Sequence, residues 1–246
     1  MMRLKRFIRL MVMSRTYRQS AVVEEEKLRR DPDNRLLSRG PRTRLQAEML
    51  RDQALFVSGL LVERLGGPSW WVYQPAGLWL EVEKRGTFVQ DHGEKLYRRS
   101  LYSRIRRTVA PPSMLLFDMP SREMCTVKRT LTNTPQQAHA LMNEVTYVEA
   151  AKKFAERMMT KGGTPAERIA WGFRCATSRV ADGAELEILV KGYERRLEHY
   201  RKNGKAAADL LDQGESKIAG YLPKSEMAAL ATVANVILNL DEVINR

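Results

Sequence analysis

From Thr134 onward the chain repeats one pattern: a helix-opening cap, apolar residues on one helical face, then a break. Thr134-Pro135-Gln136-Gln137 places an N-cap threonine before an N1 proline and an N3 glutamine. Ala138, Leu141, Met142, Val145, Val148, Ala155 and Met158 follow at helical spacing up to Gly162-Gly163. Thr164-Pro165-Ala166-Glu167 repeats the start signal ahead of Ile169, Phe173 and Ala176. Asp182 with Glu185 opens a third helix carrying Leu186, Leu189, Val190, Tyr193, Leu197 and Tyr200. A last helix has Met227, Leu230, Ala234, Ile237 and Ile244 on one side. Strand-like alternation is scarce throughout, so the expectation is an all-α fold.

The N-terminal half adds helices separated by longer irregular stretches. Leu4, Phe7, Ile8 and Met11 fall at i, i+3, i+4, i+7, predicting a one-sided helix within residues 1–18. That segment superficially imitates an export signal, but Arg9 interrupts the apolar run and no small-x-small site follows. Thr43 with Gln46 predicts a capped helix that stops at Gly66-Gly67-Pro68. Residues 66–93 read as a loop rich in Gly, Pro and aromatics, including Trp70, Trp71, Tyr73 and Trp79. A basic helix over 95–107 carries Tyr97, Leu101 and Ile105, and Ala110-Pro111-Pro112 opens a second extended segment. The reading is one irregular helical domain over 1–246, with two long loops in its first half and helices dominating 134–246.

Charge separates the same halves. Residues 1–133 hold 26 Lys/Arg against 14 Asp/Glu, while residues 134–246 hold 16 against 15, within a net charge of +13. Such asymmetry suits a nucleic-acid or other anionic surface, or equally a buried interface with an acidic protein partner. With 43% hydrophobic and 29% charged residues, the composition is that of a globular chain. No run of about eighteen apolar residues occurs, so no transmembrane helix is expected. Cys125 and Cys175 permit at most one disulfide, and neither sits in a Cys-x-x-Cys-His run, so no cofactor is expected on this chain.

The stretch Phe117-Asp-Met-Pro-Ser-Arg-Glu-Met-Cys-Thr-Val-Lys-Arg-Thr-Leu-Thr-Asn-Thr-Pro-Gln-Gln-Ala138 resembles the signature of a domain of unknown function. That domain closes large cytochrome-c-like multidomain proteins of planctomycete-type bacteria. Ser14–Ser20, Asp33–Arg42, Leu96–Tyr102 and Ala234–Glu242 resemble further segments of the same family, in the same order. The resemblance implies an exported setting with an upstream cytochrome-c-like module, on which any haem would sit. It implies no settled activity. The family continues upstream of Met1, so the chain is expected to begin inside the domain. Ser103-Arg-Ile-Arg-Arg107 departs from the aromatic-containing segment found there in relatives.

Asp118, Arg122, Glu123, Lys128, Arg129 and Asn133 gather charges and an amide in one Pro-punctuated loop. Two carboxylates beside guanidinium groups could bind a ligand or divide acid and base roles. The same residues could equally satisfy loop backbone and pair elsewhere, and this loop-holding role is preferred. Trp70 and Trp71 could stack a sugar ring or base, or anchor an irregular loop to a helical core, and the anchor is again preferred. Cys125, beside Lys128 and Arg129, reads as a buried structural thiol. His92, His139 and His199 are scattered, and Asp91-His92-Gly93-Glu94 is a weak metal pattern. Lys95–Arg107 could touch phosphates, but no nucleic-acid-binding signature accompanies it, so nucleic acid is disfavoured. The leading functional reading is a non-catalytic helical scaffold or docking module of an exported, cytochrome-associated system. A carbohydrate-binding or carbohydrate-processing domain and a nucleic-acid-binding domain are the alternatives.

Overall fold

The computed structural model describes residues 4–75, 77–78, 88–106 and 109–245; Trp79 and Arg107 lie outside them. The described residues contain helices and three isolated bridges but no β-strand, in agreement with the all-α expectation. Two compact units are formed, residues 1–45 with 245–246, and residues 46–244.

In the first unit, α1 (Leu4–Val12) is shorter than the predicted 1–18. Ser14 ends it: its side chain accepts the Tyr17 amide at 3.2 Å, a local turn that competes with helix. No residue of α1 is buried, and Phe7, Ile8 and Met11 are exposed. After α2 (Glu25–Arg30) comes a self-wired turn. Buried Asp31 accepts the Arg35 and Leu36 amides at 2.7 and 2.8 Å. Arg39 reaches back to the carbonyls of Asp31 and Pro32 at 2.7 and 2.6 Å. Gly40 donates to Ser20 O at 2.9 Å, and a Cβ there would sit 2.7 Å from Gln19 O. Two of the family-like segments are thus clasped where only glycine fits.

The second unit opens with α3 (Ala47–Ser58), which starts later and stops earlier than the predicted span. Gln46 is its N-cap and makes no side-chain cap bond, so the Thr43–Gln46 pattern is not a capping box. Gly59, at φ +79°, ends it in the left-handed conformation. The predicted basic helix over 95–107 is replaced by two short 3-10 turns, Gly93–Tyr97 and Ser100–Tyr102. Buried Arg51 of α3 explains the difference. Its guanidinium donates to Leu96 O, to Arg98 O at 3.0 Å and to Ser100 Oγ at 3.1 Å, taking carbonyls a helix would have used. Asp52 accepts the Ser100 amide at 2.7 Å, completing the clamp.

A one-turn helix, α4 (Pro112–Leu115), precedes the signature loop. The single helix predicted after Thr134 is divided into α5 (Pro135–Asn143) and α6 (Val145–Thr160). Glu144 between them is extended, and its carboxylate accepts the Thr146 amide at 2.9 Å as a fresh N-cap. The predicted starts of α7 (Pro165–Thr177) and α8 (Gly183–Lys202) are found where expected, with reciprocal capping boxes at Thr164/Glu167 and Asp182/Glu185. Next come α9 (Gly204–Leu211), α10 (Lys224–Leu238) and α11 (Asp241–Ile244); Ile244 therefore lies on a separate turn, not on the last long helix.

Helix α10 is the core's centre, burying Met227, Leu230, Val233, Ala234 and Ile237 against Phe154 and Met158 of α6, Ile169 and Phe173 of α7, and Leu189 and Tyr193 of α8. Each large apolar side chain so buried contributes about 1.5–3 kcal/mol. A Cβ at Gly172 would lie 2.8 Å from Met158 Sδ, so α6 and α7 meet across a missing side chain. Both cysteines are free and exposed, so Cys125 is not the buried thiol expected from sequence; its loop runs over the surface.

Candidate functional site

Of the loop residues singled out by sequence, Asp118 and Arg129 are engaged in holding structure. Asp118, at φ +60°, accepts the Thr132 amide at 2.8 Å and the Thr132 hydroxyl at 2.9 Å. Buried Gln137 ties the same knot, donating to Leu116 O at 2.8 Å and Thr132 Oγ1 at 3.0 Å. Arg129 grips Glu48 of α3 with two bonds of 2.6 and 2.9 Å. Burial opposes the charge on Glu48, but Arg129 outweighs it and holds the carboxyl below its ordinary pKa. Arg122, Glu123 and Asn133 are exposed. Trp70 is 1% exposed, with the Arg51 guanidinium 4.6 Å from its ring centre. Half-buried Trp71 has Arg104 at 4.6 Å over its ring and Phe88 edge-on at 5.5 Å. Asp118 and Arg129 thus serve different partners.

Basic residues of 95–104 are engaged as well. Arg98 donates to the carbonyls of Pro68 at 2.9 Å, Arg64 at 3.2 Å and Gly66, while its guanidinium covers Tyr102. Lys95 pairs with Asp91 at 2.8 Å and Arg99 with Glu63 at 3.5 Å.

A cleft of about 780 Å³ is lined by Tyr73, Gln90, Leu116, His139, Glu144 and Glu215 among others. Beneath it lies a polar girdle. Glu149 of α6, 1% exposed, accepts from Tyr97 Oη at 2.8 Å, Tyr73 Oη at 3.1 Å and the Ser216 amide at 2.6 Å. One turn along, fully buried Lys152 donates to Leu211 O at 3.1 Å, Ser216 O at 2.8 Å and Gln213 O. Tyr73 also accepts the Glu215 amide at 3.1 Å, and the Glu215 carboxylate accepts from Gly93 N at 2.9 Å, from Gln90 and from His92. Gly214 makes the closure sterically feasible: at φ +73°, its absent Cβ would fall 2.6 Å from Glu149 Oε1.

The electrostatics fit a fixed frame. Burial first, then the Glu149 charge, pushes the Tyr73 and Tyr97 hydroxyls above the ordinary phenol pKa, so both stay protonated as donors. Burial pulls the Lys152 ammonium down, with Glu149 opposing. Burial pushes the Glu144 carboxyl up despite its bonds to Thr146. Ser113 and His139 both line the cleft, and no hydrogen bond joins them. Among the described residues, no group of three or more His, Cys, Asp or Glu is placed to hold a metal. Glu149 and Lys152 were absent from the sequence candidates. Their signal was present: Glu149 and Lys152 are two of three charges in the otherwise apolar stretch Val148 to Ala155.

No helix among the described residues is long and apolar enough to cross a membrane. The family model described as PSD1, a protein of unknown function (DUF1553), matches residues 1–193. No curated protein and no solved structure matches the chain.

Proposed function

On the premise that the chain belongs to the PSD1 family of unknown function (DUF1553), we propose that it is a non-catalytic helical scaffold or docking module. Its setting in this reading is an exported multidomain system in which a cytochrome-c-like module or an acidic protein is the partner. One observation supports it most. Five of the charged groups that sequence or burial would nominate for chemistry are bound to the chain's own backbone: Arg51, Arg98 and Lys152 to carbonyls, Asp118 and Glu149 to amides. Charges used this way fix loop geometry.

The carbohydrate alternative needs Asp118 and Glu123 facing one cleft as an acid and base pair, roughly 5–10 Å apart. Asp118 bonded to Thr132 and an exposed Glu123 give it little support. The nucleic-acid alternative loses much of its basic stretch to Arg98 and Lys95.

The test is cross-linking of the tagged chain in the exported fraction of its source organism, followed by identification of what is captured. Recovery of a haem-bearing or strongly acidic protein supports the proposal. A purified chain that turns over a glycoside, and stops doing so as Asp118→Asn, would refute it.

A further inference from the structure

Between α8 and α10 runs an open groove of about 380 Å³. Its rails are apolar: Ile188 and Leu189 on α8, Val233 and Val236 on α10. Ile188 and Val236 are exposed, at 68% and 42%, while Leu189 and Val233 are buried. At one end stand Arg195 and Arg196, which have no ion-pair or hydrogen-bond partner among the described residues, and His199. No carboxylate lines the groove.

Gly192 forms the floor. It lies in the interior of a 20-residue helix, where glycine weakens the helix relative to alanine. Nothing lies within 4 Å of the place its Cβ would take, and its φ is not in the left-handed region. Neither close packing nor backbone strain explains the residue, unlike Gly172 and Gly214. What its missing side chain does is leave the groove open. Ile188, Leu189, Gly192, Arg195, Arg196 and His199 recur at i, i+1, i+4, i+7, i+8 and i+11, so all share one face of α8.

We propose that this groove docks an acidic amphipathic helix of a protein partner. The partner's apolar stripe would lie over Gly192 between the rails, and its carboxylates would meet Arg195 and Arg196. Charge at the groove itself selects this occupant over a second copy, which would bring its own Arg195 and Arg196 to the seam. The inference rests on the docking-module reading and gives it a surface and a partner chemistry.

The test uses the full chain and a fluorescent 18-residue helical peptide with Leu at i, i+3, i+4 and i+7 repeats and Glu on its other face. Its Lys counterpart is the control. Binding of the Glu peptide should be saturable, should weaken with salt and should be absent for the Lys peptide. Gly192→Leu, which fills the floor, and the pair Arg195→Glu with Arg196→Glu should each weaken it at least tenfold. Circular dichroism verifies that the variants remain folded. Equal binding of the Glu peptide to Gly192→Leu, or none to the wild-type chain, overturns the assignment. So does a concentration-dependent dimer that Gly192→Leu abolishes, since the occupant is then a second copy. If the cross-linked partner is captured undiminished by Gly192→Leu, the groove fails while the docking role stands.

Discussion

Replacing Lys152 with methionine keeps the buried alkyl stem and removes only the ammonium, so it isolates what that charge does. Three carbonyls, from Leu211, Gln213 and Ser216, lose their donor in a place where the side chain is fully buried. A buried acceptor left unsatisfied costs about 1–3 kcal/mol. Relief of the lysine's own desolvation offsets part of that, as its lowered pKa indicates. Three such acceptors, less that offset, leave a net loss of about 3–5 kcal/mol. For a chain of this size each kcal/mol lowers the melting point by about 2–4 °C, so the expected fall is about 10 °C. Urea unfolding followed by circular dichroism gives the energy, and amide exchange locates it. Protection should be lost first at residues 212–218, where the carbonyls sit. A loss under about 1 kcal/mol, or exchange unchanged in that segment, would refute the claim that Lys152 holds the loop against α6.

Other consequences are equally measurable. Gly214→Ala forces a side chain into a left-handed turn and onto Glu149, and should cost about 2–4 kcal/mol in urea unfolding. Gly192→Ala, where open space surrounds the new methyl, should instead stabilise by up to about 1 kcal/mol. Side-chain bonds from Arg179, then the Asp182 amide, hold the Glu185 carboxyl at about 2, against an ordinary 4.5. A depressed folded pKa adds stability that is complete above 4.5 and is lost as pH falls towards 2. Glu185→Gln should therefore flatten the decline of melting temperature across that window, and a parallel decline in both proteins would sink the assignment.

How much of this was legible in sequence depends on which interaction governs each segment. The starts of α5, α7 and α8 were readable because the signals are local: Thr134, Thr164 and Asp182 cap amides three residues away or fewer turns. The 95–103 segment was misread because its governing interaction is distant. Arg51 lies more than 40 residues upstream, and its guanidinium claims the carbonyls that a helix needs. Tyrosines and leucines at four-residue steps cannot report a competitor from another element. The split at Glu144 is intermediate: Glu144 and Thr146 carry the cap within two residues, but a continuous apolar stripe on both sides masks it.

The same distinction explains why the nominated site residues and the residues that shape the cleft differ. Sequence reasoning favours charges clustered in loops, since loops carry function in many folds. Here the clustered charges close short circuits such as Asp118 to Thr132 and Arg129 to Glu48. The pair with the larger structural consequence, Glu149 and Lys152, sits on a helix among alanines, spaced three apart so that both face inward. Their partners come from residues 73, 97 and 211–216, segments that share no sequence pattern with α6. A charge embedded in an apolar stripe is costly unless something meets it, so each such charge predicts a loop folded over it. That rule identifies Arg51 on α3 by the same logic, since it interrupts Leu50, Ala54 and Leu55 and is likewise buried under a loop.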